Sequence, residues 1–468
     1  VPDLDALPLD DPAIYRMLAQ GDTIGAFQVE SRAQAQMLPR LKPARFEDLI
    51  IQVSIVRPGP IQGGMVHPYL RRRRGLEPVT TPHPKLDPIL AETLGVIIFQ
   101  EQVIRVAMAL AGFSPGEADL LRRAMSRSRS AAAMLDLRGR FLAGAAANGV
   151  DPAVAEEVFR QLQGFATYGF CKSHAAAFAL VAYQTMWLKR YHLLEFTCAL
   201  LNHQPMGFYA PEVVMGDAQR HGVKVLRPDV NASHDACTIE GEALRLGLRY
   251  LPGLGEAGRA RLLAARGAGQ FGGLPDFSRR TRLPRRLIGD LVRAGALDGL
   301  AQDRRGLLWT LGGLQYTEEV LLEAPDVEAD LPSLTEGEAI AWDYELLGMS
   351  PGDHPMRLLR PRLAAQHVLT AAELARQEAG KEVTVAGLVV VRQAPPTAKG
   401  HLFITLEDET GLANLIVRPD LVEKRRGVLY NATFLLARGI VQRDGRAGSL
   451  LVKEAHEMQY NGPGPRND

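Results

Sequence analysis

The chain has little cysteine and no long apolar run, and each deficit removes a class of protein. Its three cysteines, Cys171, Cys198 and Cys237, are too few and too scattered for a disulfide framework or a zinc site. A reducing, cytoplasmic setting follows as the expectation. No stretch approaches the roughly 20 continuous apolar residues of a membrane span. Val1-Pro2-Asp3-Leu4-Asp5 has neither the basic nor the apolar part of a signal peptide, so no membrane partner is expected. The first residue is not methionine, and the chain is expected to be a processed or excerpted part of something longer. Neither sign of charge is in excess, with a formal net charge of +1 over 468 residues, 46% of them hydrophobic. That length and composition can fill about three cores.

The near-neutral total hides segregation. Arginines cluster at Arg71 to Arg74, at Arg122, Arg123, Arg127 and Arg129, and at Arg279, Arg280, Arg282, Arg285 and Arg286, while an acidic stretch runs from Glu318 to Glu345. Three basic clusters and an acidic connector suit a polyanion bound along one side, although a charge run alone is more often a solvated face.

Residues 164 to 190 carry Lys172, Ser173 and His174 where a loop hands over to a helix. The spacing predicts Ser173 as N-cap, unpartnered N–H groups in the first turn, and Lys172 beside them, which together make a phosphate site. Phe178, Val181 and Leu188 at helical spacing, with Tyr183 and Trp187 on another side, predict a largely buried helix that holds the Tyr168 to Lys172 loop rigid. A second helix starts with Ser114 as N-cap, Pro115 first and Glu117 completing a capping box. It is expected to turn Leu120, Leu121, Ala124 and Met125 inward and to present Arg122 and Arg123. A solvated arginine face explains that pair equally well.

Three parts are expected: 1–230 mainly helical, 231–360 a DNA-binding and acidic connector region, and 361–468 a small barrel. Leu251 to Gly258, followed by a helix over 259–266, has the glycine-rich turn of a helix-hairpin-helix element, with residues 244 to 250 more like a strand or short turn than a full first helix. Gly253 and Gly255 would let backbone approach a phosphate, and Arg259 with the Arg279 to Arg286 cluster would add charge. Five short alternating segments, Val383 to Val391, Leu402 to Glu407, Ala413 to Val417, Thr433 to Ile440 and Leu450 to Lys453, predict an oligonucleotide-binding type of barrel with a helix over 419–426. Phe403, Tyr430 and Phe434 are its candidate stacking platforms.

Five runs together carry a resemblance: Phe27 to Ser31, Val56 to Pro60, Gly95 to Gln102, Leu120 to Met125, and Tyr168 to His174. In order and approximate spacing they resemble the fingers of bacterial C-family DNA polymerases, the DnaE-type alpha subunits of DNA polymerase III. The helix-hairpin-helix and the barrel follow in that family's order. The resemblance implies a multidomain fold with mainly α fingers, a helix-hairpin-helix region and an all-β barrel. It implies a nucleotide site of Arg122, Arg123, Lys172, Ser173, His174 and Arg57, in which Arg57 contacts nucleotide or template and His174, with Gln100, has a supporting role. It implies duplex contact through Gly253, Gly255, Arg259, Arg279, Arg280, Arg282, Arg285 and Arg286, with template-primer DNA and deoxynucleoside triphosphates as partners.

The family's catalytic carboxylates, which hold two Mg2+ ions, belong to a palm that precedes these motifs. Asp3-Leu4-Asp5 looks like that motif only superficially, so no catalytic or metal-binding residue is assigned and this chain alone is expected not to polymerise. Residues 300 to 345 hold no convincing clamp-binding motif, and Tyr344 to Ser350 with His354-Pro355-Met356 resembles the error-prone, translesion branch, whose accessory proteins would be further partners. A non-catalytic DNA-binding repair protein or scaffold is the alternative.

Overall fold

A computed structural model describes residues 2–56, 66–126, 131–166, 170–300, 303–316, 321–322, 331–395, 398–444 and 447–458. Two compact units are present, one built on residues up to Tyr191 and the other on His192–Arg443 and Gly448 onward.

The first unit is helical: α1 (Pro12–Gln20), α2 (Arg32–Leu41), α3 (Phe46–Ile55), α4 (Val66–Arg73), α5 (Gln100–Ala111), α6 (Pro115–Ser126), α7 (Ala131–Ala147), α8 (Pro152–Ala166) and α9 (Lys172–Tyr191). At its centre α9 packs along α3, whose residues Leu49 to Ile55 are all buried. The buried stripe of α9 is Ala175, Ala179, Ala182, Tyr183, Met186 and Lys189. This corrects the expected apolar stripe: Val181 is 41% exposed, and Phe178 and Leu188 are half-buried. Alanine wins the interface because small side chains let two backbones come close, and dense packing there outweighs bulk. Lys189 is tolerated inside because Asp22 pairs with it at 2.8 Å and Ile24 O accepts from it at 3.2 Å.

The capping box at α6 is present, with Ser114 N–H donating to Glu117 Oε2 at 2.9 Å and Glu117 N–H to Ser114 Oγ at 3.3 Å. Leu121 is fully buried, but Leu120 is 57% exposed, so the inward face of α6 is narrower than expected.

The second unit opens with α10 (Leu193–Asn202) and α11 (Pro211–Arg220), then a small sheet of β1 (Lys224–Leu226), β2 (Thr238–Glu240) and β3 (Ala243–Arg245) in the order β1-β3-β2. Four helices follow: α12 (Gly255–Arg266), α13 (Leu274–Thr281), α14 (Arg285–Arg293) and α15 (Arg304–Gly313). The hairpin β4 (Gln315–Tyr316) and β5 (Leu321–Leu322), then α16 (Glu336–Leu347) and α17 (Pro355–Ala365), lead to the barrel. The barrel comprises β7 (Glu382–Gln393), β8 (Leu402–Asp408), β9 (Gly411–Val417), β10 (Phe434–Asp444) and β11 (Ala447–Glu457), with β6 (Val368–Leu369) added beside β7. Pairing of β10 with β7 closes the cylinder, and the helices α18 (Pro419–Lys424) and α19 (Arg426–Asn431) lie between the third and fourth barrel strands. Inward residues such as Ile404, Leu406, Leu415 and Leu450 fill it at 0 to 1% exposure. Glycine is required at 439, where an added Cβ would stand 2.2 Å from Leu451 O on the neighbouring strand.

Candidate functional site

In the first unit α5 and α9 begin side by side. Phe99 and Phe170 form a parallel bridge, and Gln100 N–H donates to Phe170 O at 3.0 Å. Gln102, 2% exposed, organises this start: its Oε1 accepts from Ile98 and Phe99 N–H at 2.8 and 3.0 Å, and its amide donates to Thr93 Oγ1 at 2.8 Å. A buried amide with its groups satisfied fixes the loop geometry.

Ser173 is not the cap of α9. The helix begins at Lys172, which puts Ser173 in its first turn, and the acceptor there is Glu101 from α5. Lys172 N–H approaches Glu101 Oε1 and Oε2 at 3.2 and 3.1 Å, and the Cys171 thiol donates to Oε1 at 3.0 Å. A carboxylate of the protein therefore occupies the position that the spacing assigns to a phosphate. Sequence spacing does not single out Glu101, although it sits inside the Gly95 to Gln102 motif.

The cations around this junction are also held by carboxylates. Lys172 Nζ pairs with Glu92 and lies 5.8 Å from the Phe99 ring centroid. Arg122 donates to Asp119 at 2.8 and 2.9 Å and reaches Gln100 Oε1 at 3.5 Å, while Arg123 Nε meets the other Asp119 oxygen at 2.7 Å. Hydrogen bonding from Arg122 holds the Asp119 carboxyl below its ordinary range. Through Gln100 and Phe170, the Arg122 side chain and the start of α9 share one rim. His174 is exposed on that rim, edge-on to Phe170 at 5.0 Å and to Phe178 at 4.2 Å. Arg57, Arg127, Tyr168 and Gly169 lie outside the described residues.

The second unit holds the other candidates. Gly253 and Gly255 have φ of +74° and +51°, and a Cβ added at Gly255 would meet nothing within 4 Å. The N-terminus of α12 has no side-chain cap and is open to an incoming group. A Cβ at Gly253 would touch Leu287 Cδ1 at 3.4 Å, so this hairpin packs beside the first turn of α14. Arg285 and Arg286 stand in that first turn, which has no acidic residue, and Arg282 at φ +49° precedes it. Arg282 and Arg286 are exposed. Other arginines of the cluster are spent within the fold. Arg259 pairs with Asp235, Arg285 donates to Gly312 O at 2.5 Å, and Arg280 binds Gly269 O at 2.6 Å and Asp276 at 2.9 Å over the Phe271 ring. Arg279, 68% exposed at its side chain, pairs with Asp276 at 2.9 Å.

Of the three aromatic candidates on the barrel, Phe434 is in the core and Phe403 is half-buried. Tyr430 is 41% exposed, with the Arg426 guanidinium 5.9 Å from its ring centroid.

Residues able to hold a pair of divalent cations are not assembled among the described residues. Asp3 Oδ1 accepts from Asp5 N–H at 3.1 Å, and Asp11 uses one oxygen to cap α1 at 2.7 Å and the other to accept from Tyr191 at 2.6 Å. Among the described residues, no three metal-ligating side chains converge within either unit.

Comparison with known proteins agrees with this layout. Residues 2–149 match the bacterial DNA polymerase III alpha subunit finger domain, 222–307 a helix-hairpin-helix motif, and 383–458 an OB-fold nucleic acid binding domain. The error-prone DNA polymerase of Anaeromyxobacter dehalogenans (strain 2CP-C) is 49% identical over 470 residues, covering 97% of this chain and 42% of that protein. Those of Alkalilimnicola ehrlichii and Pseudomonas aeruginosa are 49% and 44% identical, over 95% and 97% of this chain and 44% and 45% of theirs. The chain thus spans about two fifths of the length of the curated relatives it matches.

Proposed function

We propose that this chain, which belongs to the bacterial C-family DNA polymerases, supplies the nucleotide-receiving and DNA-holding parts of a DNA-directed DNA polymerase of the error-prone branch. In this reading residues 1–230 serve as fingers, 231–360 hold duplex template-primer, and 361–468 hold DNA on the barrel. The observation that carries it is the junction of α5 and α9. Two helix starts and the cations Arg122, Arg123 and Lys172 surround the internal carboxylates Glu92, Glu101 and Asp119. Exposed ion pairs such as Lys172 with Glu92, both more than two-fifths exposed, contribute only about 0.2 to 1 kcal/mol. Charge-assisted hydrogen bonds to a bound phosphate contribute roughly 1.5 to 3 kcal/mol each. An incoming triphosphate can therefore exchange with these carboxylates at little cost.

The polymerase family uses divalent metal ions, which we take to be Mg2+, and their chemistry is to activate the primer hydroxyl and stabilise the leaving pyrophosphate. The carboxylates described above do not fit that role, and we assign it to residues outside this chain. The duplex would sit on the Gly253 and Gly255 turn with Arg282 and Arg286, contacts that position the backbone without reading bases. The relatives' names support error-prone synthesis, and synthesis past damaged template is the role we assign from the resemblance of Tyr344 to Ser350 and His354-Pro355-Met356 to the translesion branch. The test is deoxynucleoside triphosphate titration of Lys172→Ala: triphosphate affinity should fall about tenfold with duplex affinity unchanged. A uniform loss of DNA affinity would make Lys172 a backbone contact and refute the assignment.

A further inference from the structure

The barrel carries a cleft of about 440 Å³ that the reading above does not use. It lies between α18 and the outer face of β10 and β11. Its floor is apolar, from Leu421, Ile440 and Leu451, each half-buried. Its rim carries the exposed cations Arg418, Lys424 and Arg425. Two other charged residues of the lining are committed elsewhere: Lys453 donates to Glu382 at 2.7 Å, and Glu454 accepts from Arg438 at 2.9 Å. That leaves three cations facing the single carboxylate Asp420. On the next helix the Arg426 guanidinium lies 5.9 Å from the centroid of the exposed Tyr430 ring.

We propose that this cleft seats one nucleotide of a single DNA strand, its base on the apolar floor and its flanking phosphates on Arg418, Lys424 and Arg425. The volume is within the range of small-molecule ligand pockets, roughly 300 to 1,000 Å³. An apolar floor under a basic rim matches a base between phosphates better than it matches an acidic peptide, whose charges would meet the floor. The location is distinctive. Barrels of this kind bind oligonucleotides across their second and third strands and the loops after the first and fourth, here β8, β9 and the turns following β7 and β10. The cleft instead uses the interposed helix and the last two strands, so the strand would pass behind that face. This inference rests on the barrel holding DNA, as proposed above.

The test is fluorescence anisotropy of a labelled oligothymidylate of about 16 nucleotides with the 468-residue chain, as a function of salt. Lys424→Ala/Arg425→Ala should weaken binding about tenfold and lower the slope of log K against log salt by about 1.4, as two phosphate contacts on a single strand require. Wild type should prefer the oligothymidylate to an abasic deoxyribose-phosphate oligomer of equal length, and Ile440→Ser should narrow that preference at unchanged slope. Melting temperatures of the variants, at exposed positions apart from the half-buried Ile440, check that the fold is kept. Unchanged affinity and slope in the double variant overturn the cleft, as does equal binding of based and abasic oligomers, which would leave a non-specific basic surface. If only Lys399→Ala, in the turn after β7, weakens binding, the DNA-holding reading stands and the cleft fails. No single-strand binding by wild type overturns both.

Discussion

Glu101 offers the sharpest check on how the α5 and α9 junction works. Its carboxylate is the partner of the first N–H of α9, at 3.1 and 3.2 Å, and of the Cys171 thiol at 3.0 Å. Glu101→Ala removes that cap, and losing a capping acceptor costs about 0.5 to 2 kcal/mol. In a unit of this size each kcal/mol lowers the melting temperature by about 2 to 4 °C. Glu101→Gln keeps an acceptor and should melt within about 2 °C of wild type. It also deletes a negative charge from the place where a phosphate is expected. A unit charge about 5 Å away in mostly aqueous surroundings is worth roughly 1 kcal/mol, so triphosphate affinity should rise about fivefold. Calorimetric titration with a deoxynucleoside triphosphate, alongside thermal melting of both variants, reads the two quantities separately. If Glu101→Gln binds triphosphate more weakly at unchanged melting temperature, Glu101 is part of the nucleotide site and the stand-in argument is wrong.

Three further outcomes are expected. Glu407 is 2% exposed and burial pushes its carboxyl from 4.5 up to about 7, against the opposing Arg220 at 2.7 Å. The unfolded chain releases this proton near 4.5 and the folded chain near 7, so Glu407 lowers stability as pH rises through that window. The loss reaches about 3 kcal/mol at neutral pH. Urea unfolding at several pH values should show wild type losing stability relative to Glu407→Gln across the window; parallel profiles would refute the burial argument. Arg286→Ala should weaken duplex binding alike for all sequences and lower the salt slope by about 0.9, whereas a sequence-dependent loss would point to base contact. Gly439→Ala forces a methyl against Leu451 O, 2.2 Å from the ideal Cβ position, and should destabilise the barrel by about 1 to 3 kcal/mol in denaturant unfolding. A neutral result would mean that β10 and β11 can part without loss.

Features built from neighbouring residues are legible in the sequence alone. Ser114 and Glu117 sit three positions apart, and their capping box forms as the spacing requires. The glycine turn before α12, the stretch over 244–250, which is strand to Arg245 and a 3-10 turn at Leu248–Tyr250, and the five barrel segments are equally readable, because turn chemistry and the two-residue strand period act over a few positions. Hydrophobicity misleads on α9, where alanines rather than Val181 and its companions form the buried stripe, since closeness to α3 decides that contact.

Short runs of residues carry the resemblance to the polymerase family and mark where most helices and strands lie, because both are local features, though the start of α9 is an exception. What each charge does depends on packing between distant segments. Glu101 caps a helix whose start is 71 positions away, Lys172 pairs with Glu92 across 80, and Arg285 reaches Gly312 across 27. An arginine in a sequence is only a charge looking for a partner. Whether that partner is a carboxylate of the same fold or a phosphate from outside depends on which distant segments the core brings within about 3 Å.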